Sequence, residues 1–389
     1  MNLITQRMAE HKNHTKHTKL EKPTLGEFGR NELSILGTPC GNIKELSRKI
    51  IESLGSDFNI AYVDADHKSA DAGDTKDELV TSGGSRKFTD KIDYLQMDWK
   101  SGQNQFQKKK WFQDQDLILI NGNHFESSLQ IAVIDEKKPL EKKLGKLTNV
   151  GLILRKDGQE IPSYVTEHVQ QLPPVIDFDN ISEITSWIRD FLISKIPPLN
   201  GLVLAGGKSL RMNTDKGLIN YHGVPQREYA WSLLNEFCKT THISCREDQI
   251  EEINESFNPL PDTFNGLGPF GGILSAFRKH PDSAWLTVAS DLPLLDSELI
   301  QTLIENRNPS KVATSYWDPE HKFPEPLVTI WEPRAYAELL HFLSLGQSCP
   351  RKTLMNSDVH LIESSDTTKL MNVNYPEEYE LVMERINSR

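Results

Sequence analysis

Cysteine is scarce in this chain, four in 389 residues. Cys40, Cys238, Cys245 and Cys349 have neither Cys-x-x-Cys spacing nor the density of a disulfide framework. That excludes a disulfide-stapled scaffold and argues against a structural zinc site. Long apolar runs are missing too, and none approaches the roughly 20 residues needed to cross a bilayer. The opening stretch MNLITQRMAEHKNHTKHTKL lacks the apolar centre of a secretion signal. The expected setting is a reducing cytoplasm without membrane contact. Positive charge is in deficit, 44 Lys and Arg against 55 Asp and Glu, for a net charge of -11. A general nucleic-acid binder needs the opposite balance. The run HKNHTKHTK (His11 to Lys19) is a basic exception, expected to be a solvated tail. Its three histidines have no downstream partner set for a metal.

What is present is the composition of a globular protein, 37% hydrophobic and 25% charged, on a chain long enough for two cores. Short apolar runs alternate with helical patterns, and no internal repeat is visible. ELSILG, NIAYVDAD, DLILING, QIAVID, NVGLILR and PVIDF read as strands in the first half. Between the first two, Ile43, Leu46, Ile50 and Leu54 recur at helical spacing, and Gly55 is placed to stop that helix. NISEITSWIRDFLISKI predicts a further helix, closed off by Pro197 and Pro198. Then come NGLVLA, THISC, AWLTVAS, KVATSY, PLVTIW and VHLIE as strands, separated by helical stretches. Strands alternating with helices predict mostly parallel sheets covered on both faces. The expected organisation is a basic polar tail over 1–30, one α/β domain over 31–196 and a second over 197–389.

The most informative stretch is GLVLAGGKSLRMNTDK, Gly201 to Lys216. A buried strand runs into Ala205, Gly206 and Gly207, where the backbone can approach a ligand without a Cβ in the way. The carboxyl end of such a strand is where open α/β sheets bind ligands. Arg211 can fork two donors onto phosphate oxygens, and Lys216 adds a mobile point charge. The run fits neither the dinucleotide fingerprint nor the P-loop. Further on, Asp291 follows the apolar strand WLTVAS, in reach of a hard cation or of an ordinary turn role before Pro293.

LAGGKSLRMNTDK resembles the L-A-G-G-x-S-x-R-M-G-x-D-K motif of the molybdenum cofactor guanylyltransferases (MobA-type). GLGPFGGILSAF, LTVASDLPLL, KFPEPLVTIWEP and LMNVNYPEEY are similar, in order, to that family's later segments. The resemblance implies a Rossmann-like nucleotidyltransferase domain that transfers GMP from GTP to molybdopterin with Mg²⁺, releasing pyrophosphate. It implies nucleotide contacts at Leu204, Ala205, Gly206, Gly207, Lys216, Asp262 and Asp291. It also implies catalytic roles for Arg211, Lys216 and Asp291, metal binding at Asp291, and a substrate side at Asn372 and Asn374. Helix capping is the alternative for those two asparagines. Where the family has Gly after R-M, this chain has Asn213, a residue that tolerates a left-handed backbone. GTP and molybdopterin are then the substrates, with molybdoenzymes or their chaperones as recipients. The alternatives are a cytidylyltransferase on the same acceptor, a related nucleotidyltransferase, or a non-catalytic cofactor-binding adaptor.

The first half opens on ELSILGTPCGNIKEL, a strand, a glycine, a short loop and a helix. Laid on the P-loop pattern it lacks the second glycine, the phosphate lysine and the magnesium hydroxyl. Lys44 stands one residue late, and one residue turns a helical side chain by about 100°. With AYVDADH, DLILINGNHF and NVGLILRKDG, this half resembles the P-loop accessory protein of the same pathway (MobB-type) with its central motif broken. A scaffold role is expected rather than nucleotide hydrolysis. DADH (Asp64 to His67) and NGNH (Asn121 to His124) put polar groups just beyond two strand ends.

Overall fold

A computed structural model describes residues 21–65, 78–206, 216–364, 366–373 and 375–387. The basic run His11–Lys19 lies outside them. The chain divides into two compact units, Thr24–Ile196 and one built around Pro197–Arg389. Among the described residues no helix is long and apolar enough to cross a membrane.

The first unit holds β1 (Glu32–Leu36), β2 (Ile60–Val63), β5 (Leu117–Asn121), β6 (Leu129–Ile134), β7 (Val150–Arg155) and β8 (Val175–Asp177). They form one parallel sheet in the order β2-β5-β1-β6-β7-β8. Strand β1 is buried along its whole length, because helices cover both faces of such a sheet. The helix Cys40–Leu54 buries Ile43, Leu46, Ile50 and Leu54, the face that their spacing predicts. Ile43 is wholly enclosed and Lys44 exposed, so at that register the core takes the side chain that a phosphate would need. Helix Ile181–Ser194, capped by Asn180, covers the sheet as well.

Two features of this unit depart from expectation. Within the stretch read as a tail over 1–30, Phe28 is buried edge-on between Phe112 and Phe125, at 5.8 and 5.7 Å. The buried carboxylate of Glu32 accepts from the Phe28 and Gly29 amides and fixes that turn. The second departure is an antiparallel hairpin, β3 (Arg86–Asp90) and β4 (Leu95–Trp99), separate from the main sheet. Its apolar Phe88, Leu95 and Met97 are exposed.

The second unit holds β9 (Leu199–Leu204), β10 (Thr241–Cys245), β11 (Pro259–Pro261), β12 (Ala284–Ala289), β13 (Ala313–Asp318), β14 (Phe323–Trp331) and β15 (Val359–Glu363). The order is β11-β10-β9-β12-β14-β13-β15, with β14 antiparallel to both neighbours and the other pairings parallel. Successive β9 side chains enter opposite layers: Val203 packs with Leu234 and Ile300, Leu202 and Leu204 with Phe270 and Trp285. Burial on both faces makes NGLVLA a continuous apolar run rather than an alternating one. At the end of β14, Glu332 is fully buried and takes both arms of Arg307, at 2.7 and 2.8 Å. Arg307 also donates to the Pro197 carbonyl, at 2.9 Å.

Candidate active site

Three parallel strands, β10, β9 and β12, end side by side, and the sequence-predicted residues gather there. The turn after β9 is tied to both neighbours: Ala205 N donates to Ser244 O and Ser290 N to Leu204 O. Leu204 and Ala205 are buried, and Gly206 is half-buried. A Cβ on Gly206 would lie 3.2 Å from Asp262 Oδ2, so the glycine lets the turn pass close to that carboxylate. Arg246, just past β10, donates to the Gly206 carbonyl at 3.1 Å and is itself braced by Asp248.

Asp262 follows β11, its amide donating to the Cys245 carbonyl. Its Oδ1 accepts from Ser244 Oγ at 2.7 Å. Gly272, in the helix Pro269–Lys279, backs this pair; a Cβ there would meet Ser244 Oγ at 2.5 Å. Burial pushes the Asp262 carboxyl up to about 6, against the Ser244 hydrogen bond and the Arg246 charge, which pull it down. A carboxyl raised on folding favours the native state below its unfolded pKa, and that advantage disappears as pH rises through the folded value. Stability is therefore expected to fall between about pH 4 and 6 in wild type relative to Asp262→Asn, as urea midpoints at each pH would read. Parallel midpoints for the two proteins would exclude a buried, ionising Asp262.

Asp291 lies two residues beyond β12. Its Oδ2 pairs with Lys216 Nζ at 3.2 Å, the two side chains 20% and 18% exposed. Its Oδ1 is buried, with no hydrogen-bond partner among the described residues. The Asp291 carbonyl accepts from Val373 N at 3.0 Å, which brings the NVN segment to this strand end. The neighbouring Asn372 Oδ1 is likewise buried and unpartnered, and the following helix starts only at Pro376. Asp291 is not a helix cap either; Asp296 caps the next helix. Glu325, on β14, is raised chiefly by burial; the Leu327 amide and Arg351 oppose this, and the charges of Asp318 and Asp291 add to it. A register shift between β13 and β14 falls at this point, and such irregularities re-aim side chains.

The structure thus gathers Leu204, Ala205, Gly206 and Asp262 on one side of the β9 end, and Lys216, Asp291 and Asn372 on the other. Gly207, Arg211, Asn213 and Asn374 lie outside the described residues. Ser244, Arg246 and Glu325 carry no individual signal in the sequence, although Glu325 lies in KFPEPLVTIWEP, one of the segments that resemble the family. Among the described residues no three His, Cys, Asp or Glu side chains cluster as a ready metal cage.

Residues 201–360 match the MobA-like NTP transferase domain. A molybdenum cofactor guanylyltransferase from Pseudomonas paraeruginosa is 30% identical over 196 residues, covering 94% of that protein and 47% of this chain. The chain belongs to the molybdenum cofactor guanylyltransferase family. It is accordingly a nucleotidyltransferase, and the matched domain lies within the second unit. A molybdenum cofactor biosynthesis bifunctional protein from Synechocystis is 37% identical over 183 residues, 47% of this chain. The chain spans about half the length of that relative, 53%. A solved structure, molybdopterin-guanine dinucleotide biosynthesis protein A from Archaeoglobus fulgidus, is similar at 21% identity. It covers 49% of this chain and all of its own, with a TM-score of 0.43. Family members of this kind work with a divalent metal.

Proposed function

We propose that the second unit transfers GMP from GTP to the terminal phosphate of molybdopterin, releasing pyrophosphate. The observation that carries this reading is Asp291: a carboxylate at a strand end, one oxygen on Lys216 and the other buried without a partner among the described residues. An orphaned hard oxygen donor fits a Mg²⁺ ion, which takes one or two protein carboxylates and completes its shell with phosphate and water. Asp291 would hold the ion, which supplies positive charge at the α-phosphate when bound.

The protein's own part is positioning and charge neutralisation, the main requirements of phosphoryl chemistry. Gly206 lets the triphosphate approach the backbone. Lys216, released from Asp291 by the incoming charge, neutralises the departing pyrophosphate, with Arg211 as its partner. Asp262, held by Ser244, accepts from the nucleoside, while Asn372 and Asn374 have the role of binding the acceptor. An acceptor phosphate oxygen attacks the α-phosphorus in line, and the bond to the β-phosphate oxygen breaks. In this reading the first unit is an accessory domain with a broken P-loop that helps present molybdopterin, and molybdoenzymes receive the product.

Calorimetric titration of the full chain with GTP and with CTP, each with Mg²⁺, tests the assignment. GTP binding at one site is expected, weakened about tenfold or more in Lys216→Ala, the effect of losing a charge-assisted contact. Tight CTP binding with none for GTP would overturn the guanine assignment.

A further inference from the structure

We propose that Cys40 and His124, in the first unit, form a reactive thiolate–imidazolium pair, a modification site that takes low-molecular-weight disulfides. Sγ of Cys40 lies 3.5 Å from His124 Nε2. The adjacent Asn123 donates its amide to the same sulfur at 3.7 Å. That amide also donates to the Thr38 carbonyl, and its oxygen accepts from Lys143 at 2.8 Å, while Lys146 donates to the Asn123 backbone carbonyl at 3.4 Å. An imidazole and an amide donor therefore contact the sulfur, and Lys143 stands behind the amide within electrostatic reach of it.

The backbone adds to this field. Cys40 is the first residue of a 15-residue helix whose N-cap, Pro39, offers no side-chain acceptor and whose first turn carries no acid. The partial positive charge of that end favours an anion on the first residue. A cationic neighbour and a helix N-terminus are the two features that bring thiols into the reactive range. Other charges face the same place. Tyr62 and Lys143 both sit in the electrostatic reach of the sulfur. The carboxylates on neighbouring strand ends are engaged elsewhere, Asp64 with Tyr62 and Asn121, and Asp135 with Thr38. Burial, reinforced by Lys138 and Lys146, lowers Lys143, in keeping with a crowded cationic site.

The other thiols set a contrast inside the same chain. Burial pushes Cys238 up to about 12 and Cys245 up to about 11, which leaves both as inert thiols at neutral pH. Cys40 is half-buried, next to the exposed Gly41, where a Cβ would meet nothing within 4 Å. In the reaction, Cys40 Sγ attacks one sulfur of a disulfide R–S–S–R. The original S–S bond breaks, a Cys40–S–S–R bond forms, and the departing thiolate takes the proton from His124. The disulfide is the oxidant, and one RSH leaves.

Peptide mapping of the full chain after limiting iodoacetamide, from pH 6 to 8, tests this. Cys40 is expected to react about ten times faster than Cys349 at pH 6.5, with a rate nearly independent of pH. An ordinary thiol instead gains about tenfold per pH unit in this range. His124→Gln should cut the Cys40 rate at pH 6.5 about tenfold and leave Cys349 unchanged. Oxidised glutathione should add first at Cys40. A Cys40 rate no greater than that of Cys349, or one rising tenfold per pH unit, would overturn the proposal in wild type alone, whether or not the variant folds.

Discussion

Asp291→Asn is expected to lower kcat/KM by about 10³-fold, the loss of roughly 4 kcal/mol of transition-state stabilisation. The substitution keeps the shape and removes the charge. The orphaned Oδ1 becomes a neutral amide group, a poor ligand for a hard cation, and Lys216 loses its ion partner. Two neighbouring groups should respond. Glu325 and Tyr221 are both raised mainly by burial, with the Asp291 charge among the further causes, so each should ionise more easily in the variant. The fold should persist, because the link to Val373 runs through the Asp291 backbone carbonyl and a partly exposed ion pair contributes only about 0–1 kcal/mol. Steady-state kinetics across a Mg²⁺ series, with a thermal melt of the same preparation, would read both. Activity within tenfold of wild type at ordinary Mg²⁺ would remove Asp291 from the chemistry.

Arg307→Ala should have the largest effect on stability. Glu332 is fully buried and both its oxygens are on the guanidinium, so the truncation takes the countercharge from a carboxylate in the core. Breaking a buried pair from one side costs about 3–5 kcal/mol, far more than the intact pair contributes. The same arm also satisfies the carbonyl of Pro197, which becomes unpaired. Urea denaturation should show the second unit unfolding at a markedly lower midpoint. Replacing both partners, Arg307→Met with Glu332→Met, should recover much of the loss, since no charge is then left buried. An Arg307→Ala variant within 1 kcal/mol of wild type would mean that water reaches Glu332 readily.

Burial on both faces is why the strand runs could be read directly: residues such as LVL or LILI stay apolar whichever way each side chain points. The helix Cys40–Leu54 was equally legible, because only one of its faces enters the core. The hairpin β3–β4 escaped the same reasoning because its apolar residues are the exposed ones, which inverts the usual pattern. Strand β11, three residues with proline at both ends, carries no strand signal of its own. Phe28 reads as part of a polar tail until Phe112 and Phe125 are brought around it.

By itself the sequence determined the alternating α/β layout, the break near Pro197 and the local run from Leu204 to Lys216, all features of residues adjacent along the chain. The tertiary structure alone decided which distant groups meet. Ser244 reaches Asp262, Arg246 reaches Gly206, Val373 reaches Asp291 and Cys40 reaches His124. Those contacts join residues 18 to 84 positions apart across neighbouring strand ends and loops. Hydrophobic periodicity records which face of an element is buried, whereas polar contacts of this kind depend on strand order and register, which a single chain does not spell out.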